Sequence, residues 1–209
     1  MNAARTRFWI AVALMTALWL TMMFAGGAGA PYDMSLGALF CARSDPTLLR
    51  NARFITFFGQ AWVLVPLALA AAGFVAIRRK RRTALLLIMV FVGRLLVELQ
   101  KMILERPRPE ACGRFVVTHS YSFPSAHAAN SMITFLAIAL LLPVRQRNRA
   151  IAVGLALAGT LQVGASRVML GVHWPSDVIG GWAFGLLWVI VCMRLATDRP
   201  EAEPVVNAR

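Results

Sequence analysis

The fold is decided by residues 150–196, which read AIAVGLALAGTLQVGASRVMLGVHWPSDVIGGWAFGLLWVIVCMRLA. Two apolar runs, at 150–168 and 178–196, meet at a short polar junction, which contains Arg167 at the end of the first run and His173 and Asp177 between the runs. A helix rises about 1.5 Å per residue and needs about 20 apolar residues to cross a bilayer, so each run is nearly long enough to span. The stretch therefore predicts two neighbouring membrane helices with polar groups at the turn between them.

The rest of the chain repeats this pattern. Of its 209 residues, 59% are hydrophobic and 15% are charged, and the mean hydropathy of +0.66 is far above that of an ordinary soluble domain. Six apolar runs come near the spanning length, at 8–25, 54–77, 83–104, 128–144, 150–168 and 178–196. We therefore predict an all-α polytopic membrane protein, with a six-helix transmembrane domain at 1–196 and a short tail at 197–209.

The basic residues predict which helix ends face the cytoplasm, because Lys and Arg are enriched in cytoplasmic connections. More than half of the 22 basic residues fall into four groups, at 5–7, 78–82, 145–149 and 194–209. Both termini are then cytoplasmic, and the loops at 26–53, 105–127 and 171–177 face the periplasm or cell exterior. Since the charges cluster between apolar runs, we expect contact with lipids of the inner (plasma) membrane and no nucleic-acid partner.

The first apolar run resembles a secretory signal, because Arg5 and Arg7 precede it and the small residues Ala28-Gly29-Ala30 follow it. The run is longer than a typical signal core, and Pro31 directly after the candidate cleavage site should hinder processing. We therefore predict that this segment is retained as a transmembrane helix.

The three cysteines show neither metal-ligand spacing nor a CxxC pair. Cys41 and Cys112 both fall in predicted outer loops, where a disulfide can form in an oxidising compartment. The sequence leaves their pairing open.

Three polar segments interrupt the apolar pattern on the predicted outer side. The first contains Lys101 and Arg108, the second is Pro124-Ser125-Ala126-His127, and the third is the turn at 166–177. Charged side chains in or beside a spanning helix are costly and usually mark function. Because the helices that carry these segments end on the same side, we expect the segments to converge on one face.

Lys101, Arg108 and Arg167 bring three positive charges to this face. Such cations repel one another unless an anion with more than one negative charge lies between them. A phosphoryl group fits, since arginine offers paired donors that match phosphate oxygens and lysine offers a point charge. Ser125 and the backbone N–H of Ala126 add donors at the start of a helix, where the helix dipole also favours an anion.

His173, His127 and Asp177 make the predicted phosphate site a candidate enzyme. Histidine can form a covalent intermediate, so we predict that His173 attacks phosphorus. Asp177 follows four residues later and is expected to orient His173, as a triad aspartate orients its histidine. His127 would protonate the leaving group and then activate water. Acidic residues on the outer side are too few and scattered for a magnesium or two-metal site, so we expect no metal or other cofactor.

The three segments together resemble the type 2 phosphatidic acid phosphatase family, whose signature is K-x6-R-P, P-S-G-H and S-R-x5-H-x3-D. The first and third parts match in full, and the second matches except that Ala126 replaces glycine. The resemblance implies that His173 is the nucleophile, His127 the acid and base, and Asp177 the orienting carboxylate, without a metal. It implies a phosphate pocket formed by Lys101, Arg108, Ser125, Ala126, Ser166 and Arg167. Alanine keeps the backbone donor at position 126, although a position that requires φ > 0 would be strained.

We therefore expect a membrane phosphatase that acts on a lipid phosphate or lipid pyrophosphate. Phosphatidic acid, phosphatidylglycerol phosphate, undecaprenyl pyrophosphate and the phosphates of lipid A are all candidate substrates, and the oligomeric state is left open. A transporter or flippase that only binds a lipid phosphate is the alternative. Vanadium-dependent haloperoxidases share the same motifs, but six apolar runs argue against a soluble protein of that kind.

Overall fold

The computed structural model describes residues 3–42, 45–77, 79–110, 115, 116, 118 and 120–197. Within these ranges the chain forms eight α-helices and no strand, which confirms the all-α prediction. The helices are α1 (Ala3–Ala25), α2 (Pro31–Phe40), α3 (Pro46–Phe57), α4 (Ala61–Ala76), α5 (Lys80–Leu104), α6 (Ala126–Leu141), α7 (Gln146–Met169) and α8 (Pro175–Thr197). The predicted tail, apart from its first residue, lies outside the described residues.

Four predicted runs are confirmed as helices that are long and apolar enough to cross a membrane. They are Arg5–Ala25, Lys80–Leu104, Gln146–Met169 and Pro175–Ala196. There are five candidate spans if α3 and α4 are counted as one bent span. α6, with 16 residues, is apolar but shorter than these spans. The total of six spans and the cytoplasmic location of both termini therefore stay predictions.

The second predicted run, at 54–77, is not one helix. α3 ends at Phe57, α4 begins at Ala61, and the two helices are bent by 40°. Gly59 lies in this break and approaches α6 so closely that a Cβ atom there would be 2.8 Å from Cδ2 of His127. The break thus brings backbone against a predicted catalytic residue, which a straight helix with side chains at this point would not allow.

The predicted outer loop at 26–53 is largely helical. α2 and α3 begin at Pro31 and Pro46, and the fixed φ of proline suits the first turn of a helix. Asp45 caps α3, because its Oδ1 accepts hydrogen bonds from the N–H groups of Thr47 (2.8 Å) and Leu48 (3.1 Å). These short helices pack against the longer ones, α3 against α7 and α2 against both α7 and α8.

Asp33 fastens α2 to the bundle although its carboxylate is fully buried. It accepts hydrogen bonds from the N–H of Gly27 (2.6 Å), and from both the N–H (2.8 Å) and the hydroxyl (2.5 Å) of Ser176. Ser176 is the second residue of α8, so Asp33 supplies an acceptor to an N–H group at a helix start. α2 is thereby held beside the turn that carries the third polar segment.

α6 lies at the centre of the bundle, in contact with α5, α7 and α8. Its approach to α8 depends on glycine at two levels. A Cβ atom on Gly181 would lie 2.9 Å from the carbonyl oxygen of Ser125, and one on Gly185 would lie 2.9 Å from that of Ala129. The start of α6, which carries the second polar segment, is therefore held against the first turns of α8.

Candidate active site

His173 lies on the turn between α7 and α8. Gly171 adopts a φ of +68°, a left-handed conformation that glycine reaches without a side-chain clash. The N–H of Val172 then donates to the carbonyl of Arg167 at 3.2 Å, and the Val172 side chain is buried in a cluster with Ala52 of α3. The turn is therefore fixed by packing and hydrogen bonding, and it holds His173 at only 3% exposure.

The contacts of His173 define its tautomer. Nη1 of Arg108 lies 3.1 Å from Nε2 of His173, and arginine carries only donors, so Nε2 must be the acceptor. The ring proton is then on Nδ1, which lies 3.4 Å from Oδ2 of Asp177. Nε2 therefore carries a lone pair and Nδ1 faces a carboxylate, which is the arrangement expected of a histidine nucleophile.

Asp177 is fully buried and bound on both of its oxygens. Oδ2 accepts hydrogen bonds from the hydroxyl of Ser122 and from the N–H of Trp174, the latter at 2.9 Å. Oδ1 pairs with Nη1 of Arg106 at 2.9 Å. The carboxylate that faces His173 is thus held rigidly by three groups from different parts of the chain.

Arg106 was not predicted as a site residue, because it occupies the variable spacer of the first motif. Its guanidinium also donates to the hydroxyl of Ser176 (3.0 Å) and to the carbonyl of Met22 (2.9 Å), and it lies over the ring of Phe123 at 4.4 Å from the centroid. The one sequence feature that could have indicated a role for Arg106 is its charge, two residues after the apolar end of α5. Arg106 joins the end of α1, the start of α8 and Asp177.

Lys101 and Arg108 reach the same short segment, 120–122. Lys101 is 2% exposed, and its Nζ donates to the carbonyls of Tyr121 (2.6 Å) and Ser122 (3.5 Å). Nε of Arg108 donates to the carbonyl of Ser120 at 2.7 Å. The structure therefore brings the two basic residues of the first motif together beside His173, as the sequence predicted.

Arg167 and Ser166 are neighbours at the end of α7 but point to different partners. Arg167 is buried, and its Nη1 donates to the hydroxyl of Thr56 in α3 at 2.7 Å. The hydroxyl of Ser166 donates to the carbonyl of Val163 within its own helix at 2.6 Å. Arg167 is thus anchored toward the α3–α4 break, while a direct contact of Ser166 with phosphate stays a prediction.

The second polar segment forms the start of α6. Ser125 precedes the helix, its N–H donates to the carbonyl of Asp177 at 3.0 Å, and Ala126 is the first helical residue. Because Ala126 has no positive φ, the strain that alanine could have suffered in place of glycine does not arise. Among the described residues, Oγ of Ser125 and Nε2 of His127 are buried without a hydrogen-bond partner.

A cavity of about 310 Å³ opens beside the start of α6. Its described lining residues are Arg53, Thr56, Gln60, Val116, Thr118, His127 and Arg167. The lining thus contains His127 and two arginines, and none of these lining residues is acidic. The cavity can therefore receive an anion or another polar group.

Charge and burial both favour the neutral form of His173. Burial is the main cause that holds the pKa of His173 well below 6.5, and the positive charges of Arg108, Lys101 and Arg167 act in the same direction. In the described part of the chain, the hydrogen bonds of Lys101 and Arg167 end on neutral oxygens. Neither of these two buried cations is therefore shown to donate to a carboxylate within the described residues.

The described residues offer no group of three or more His, Cys, Asp or Glu side chains that could hold a metal ion. The side chains of the predicted site that could take part in catalysis are the two histidines, Asp177 and three cations, Lys101, Arg108 and Arg167. Independence from metal stays a prediction.

The structure bears in part on the disulfide that the sequence left open. Cys41 is disulfide-bonded, and Cys192 is buried as a free thiol in α8. Cys112 lies outside the described residues, so its pairing with Cys41 stays open.

A family model described as the PAP2 superfamily matches residues 82–201, which is more than half of the chain. The chain belongs to the PAP2 superfamily. The match covers all three polar segments, and it confirms the resemblance that their spacing indicated. Lys101, Arg108, His127, His173 and Asp177 all lie within the matched residues.

Two PAP2-type relatives carry names that describe action on membrane lipids. Phosphatidylglycerophosphatase B of Bacillus subtilis (strain 168) is 36% identical over 138 residues, which cover 64% of this chain and 68% of the relative. The undecaprenyl-diphosphatase of Sulfolobus acidocaldarius is 28% identical over 188 residues, which cover 85% of each chain. These relatives of the chain are membrane lipid phosphatases.

A solved structure shares the fold. The crystal structure of a transmembrane PAP2-type phosphatidylglycerolphosphate phosphatase from Bacillus subtilis matches with a TM-score of 0.82 and 27% identity. The match covers 90% of this chain and 96% of that one. Together with the apolar helices, it supports a multi-pass membrane protein.

Proposed function

We propose that this protein is an integral membrane phosphatase that hydrolyses a lipid phosphate or lipid pyrophosphate through a phosphohistidine formed on His173. The observation that carries the proposal is the setting of the His173 ring. Its Nε2 accepts from Arg108 at 3.1 Å and its Nδ1 faces Asp177 at 3.4 Å. A phosphate drawn to Arg108 would therefore be placed next to the attacking lone pair.

In the first step, Nε2 of His173 attacks phosphorus, an N–P bond forms, and the P–O bond to the leaving group breaks. Lys101, Arg108 and Arg167 stabilise the charge on the oxygens that stay on phosphorus. Asp177 stabilises the positive charge that develops on the His173 ring. His127 gives a proton to the leaving oxygen, so the lipid departs as a neutral alcohol or as a protonated phosphate.

In the second step, His127 takes a proton from a water molecule, and the resulting hydroxide attacks phosphorus from the side that the leaving group has vacated. The N–P bond breaks, inorganic phosphate is released, and His173 returns to its neutral form. Because the cations and the two histidines supply the charge stabilisation and the proton transfers, the proposed reaction needs no metal ion.

The site is proposed to lie on the extracytoplasmic side of the inner (plasma) membrane, with both termini in the cytoplasm. The positive charges at 5–7, 78–82, 145–149 and 194–209 support this orientation. The relatives support a lipid as the substrate, and phosphatidylglycerol phosphate and undecaprenyl pyrophosphate are the first candidates.

The proposal is tested by measuring inorganic phosphate released by the purified protein in detergent with EDTA. The substrates are phosphatidic acid, phosphatidylglycerol phosphate, undecaprenyl pyrophosphate and lipid A. We expect release from at least one of them and a loss of about 1,000-fold or more in His173→Ala. Arg50→Gln, an exposed change on α3, serves as the control and should keep the wild-type rate. Release from none of the lipids, or release that requires a metal ion, would contradict the proposal.

A second variant, Arg167→Ala, separates hydrolysis from transport when it is compared with His173→Ala. A lipid transporter that uses the pocket only for binding would keep its function in His173→Ala and lose it in Arg167→Ala. The phosphatase loses activity in both, because one residue supplies the attacking atom and the other stabilises the phosphoryl group.

A further inference from the structure

We propose that the cavity lined by His127 binds the polar part of the leaving group, and that Arg53 favours substrates whose leaving group carries its own negative charge. This inference rests on the proposed function, because it assigns the attacking group and the leaving group of that reaction to two different parts of the site. It adds Arg53, which lies outside all three motifs, as a residue that determines specificity.

The first argument is the position of the cavity. In an in-line displacement, the attacking and leaving atoms lie on opposite sides of phosphorus. The described lining of the cavity includes His127 and Arg167 but not His173, Lys101 or Arg108. Since His127 is the proposed acid for the leaving oxygen, the cavity lies on the leaving-group side.

The second argument is that three residues lining the cavity carry buried polar atoms without partners. Buried polar atoms almost always form a hydrogen bond. Nε2 of His127, Nε of Arg167 and Oγ1 of Thr118 are all buried and have no hydrogen-bond partner among the described residues. All three residues line this one cavity, and Arg167 is only 4% exposed. A polar ligand would supply the missing partners.

The third argument is charge. Arg167 is shared between the cavity and the phosphoryl group that is transferred, because it belongs to the cationic group around His173. Arg53 is a second arginine of the lining, and its exposed side chain starts one turn of α3 before Thr56. Its Nη2 donates to the carbonyl of Phe115 at 3.3 Å, which restrains the guanidinium beside the cavity. With no acidic residue in the described lining, this end of the cavity favours an anion.

A leaving group fits this charge when it retains a phosphate after the reaction. Hydrolysis of a lipid pyrophosphate leaves a lipid phosphate, and hydrolysis of phosphatidylglycerol phosphate leaves a phosphodiester. Hydrolysis of phosphatidic acid leaves a neutral diacylglycerol. Arg53 therefore stabilises the first two leaving groups and contributes little to the third.

The test compares phosphatidylglycerol phosphate with phosphatidic acid of the same acyl chains, using the purified full chain in mixed micelles. The measured quantity is the ratio of kcat/KM for the two lipids, which does not depend on the fraction of protein that is folded. Arg53→Gln should lower this ratio about tenfold, as expected for loss of a charge-assisted hydrogen bond. Arg53→Lys should keep most of it, and the exposed neighbour Arg50→Gln should leave it unchanged.

The outcomes separate the inference from the proposed function. If Arg53→Gln leaves the ratio unchanged, or if the wild type favours phosphatidic acid or acts on it alone, the assignment of Arg53 is overturned and the phosphatase remains. If the wild type releases phosphate from neither lipid nor from any other lipid phosphate, the proposed function itself fails.

Discussion

Arg106 and Asp177 form an ion pair inside the protein, with the carboxylate fully buried and the guanidinium 9% exposed. Removing one partner of a buried pair costs roughly 3–5 kcal/mol, because the other charge stays buried without compensation. Asp177 also faces Nδ1 of His173. One contact therefore supports both the stability of the fold and the orientation of the proposed nucleophile.

Arg106→Gln is expected to lower both the thermal unfolding temperature and kcat. We expect kcat to fall about 10- to 100-fold, as for other residues that hold a reacting group in place, with KM changed much less. Arg106→Lys should recover part of kcat because it restores the charge without the paired geometry. Steady-state kinetics and thermal unfolding in detergent measure both effects, and a normal kcat in Arg106→Gln would show that Asp177 does not depend on this partner.

The pH dependence of the reaction is expected to reflect the lowered pKa of His173. Burial and the nearby cations disfavour its protonated form, so Nε2 keeps its lone pair at pH values below the ordinary 6.5. The acid limb of kcat/KM should therefore lie below pH 6.5, and the contribution of this group to stability should be lost only as pH falls below that value. Rates measured from pH 4.5 to 8 are corrected for ionisation of the substrate phosphate. An acid limb that remains above 6.5 would contradict the assignment.

At the scale of elements, the break between α3 and α4 shapes the side of the site opposite His173. Thr56, in the last turn of α3, accepts from Arg167 at 2.7 Å, and Gln60 and Arg53 line the cavity. Gly59 within the break packs against the ring of His127. A single interruption of an apolar segment thus places backbone and three polar side chains around the proposed acid.

Gly59→Ala is expected to disturb His127. A Cβ atom would lie 2.8 Å from Cδ2 of His127 and 2.5 Å from Cγ1 of Val163, closer than real side-chain contacts. Overpacking of this kind costs about 1–3 kcal/mol, and a shift of the ring should lower kcat about tenfold or more. Gly73→Ala in α4 is the matched control, since no atom lies within 4 Å of its added Cβ. Equal thermal stability and equal kcat in the two variants would show that the break does not position His127.

The sequence predicted which polar residues belong to this site better than it predicted the contacts between them. Lys101, Arg108 and His173 stand out because each is polar next to an apolar run, and the structure brings them together. The roles of Asp33 and Arg106 depend on partners that lie 143 and 71 residues away, which no local pattern reveals. The break at 58–60 escaped prediction because an apolar run reads the same whether the helix is straight or bent.

At the scale of the whole molecule, α5 and α8 run in opposite directions and separate two groups of basic residues, one buried at the proposed site and one exposed at the far end. α5 begins at Lys80 and carries Lys101 in its last turn, and its 25 residues extend roughly 37 Å at about 1.5 Å per residue. α8 begins beside Asp177 and ends near Ala196, whose carbonyl accepts from Arg81 at 3.1 Å. The end that carries the proposed phosphate site and the end rich in exposed basic residues are thus separated by more than the roughly 30 Å hydrocarbon core of a bilayer.

This separation makes the orientation of the protein testable with two single substitutions. Ser35→Cys on α2 lies at the same end as the site, and Arg147→Cys at the start of α7 lies at the basic end. Both positions are exposed, and neither belongs to the proposed catalytic groups. Both variants should therefore remain active. If the basic end is cytoplasmic, a membrane-impermeant thiol reagent added to intact spheroplasts should label Ser35→Cys and spare Arg147→Cys. Labelling of the unsubstituted chain gives the background, and permeabilised cells should label both variants. The reverse pattern in intact spheroplasts would place His173 on the cytoplasmic side and require that the substrate come from the inner leaflet.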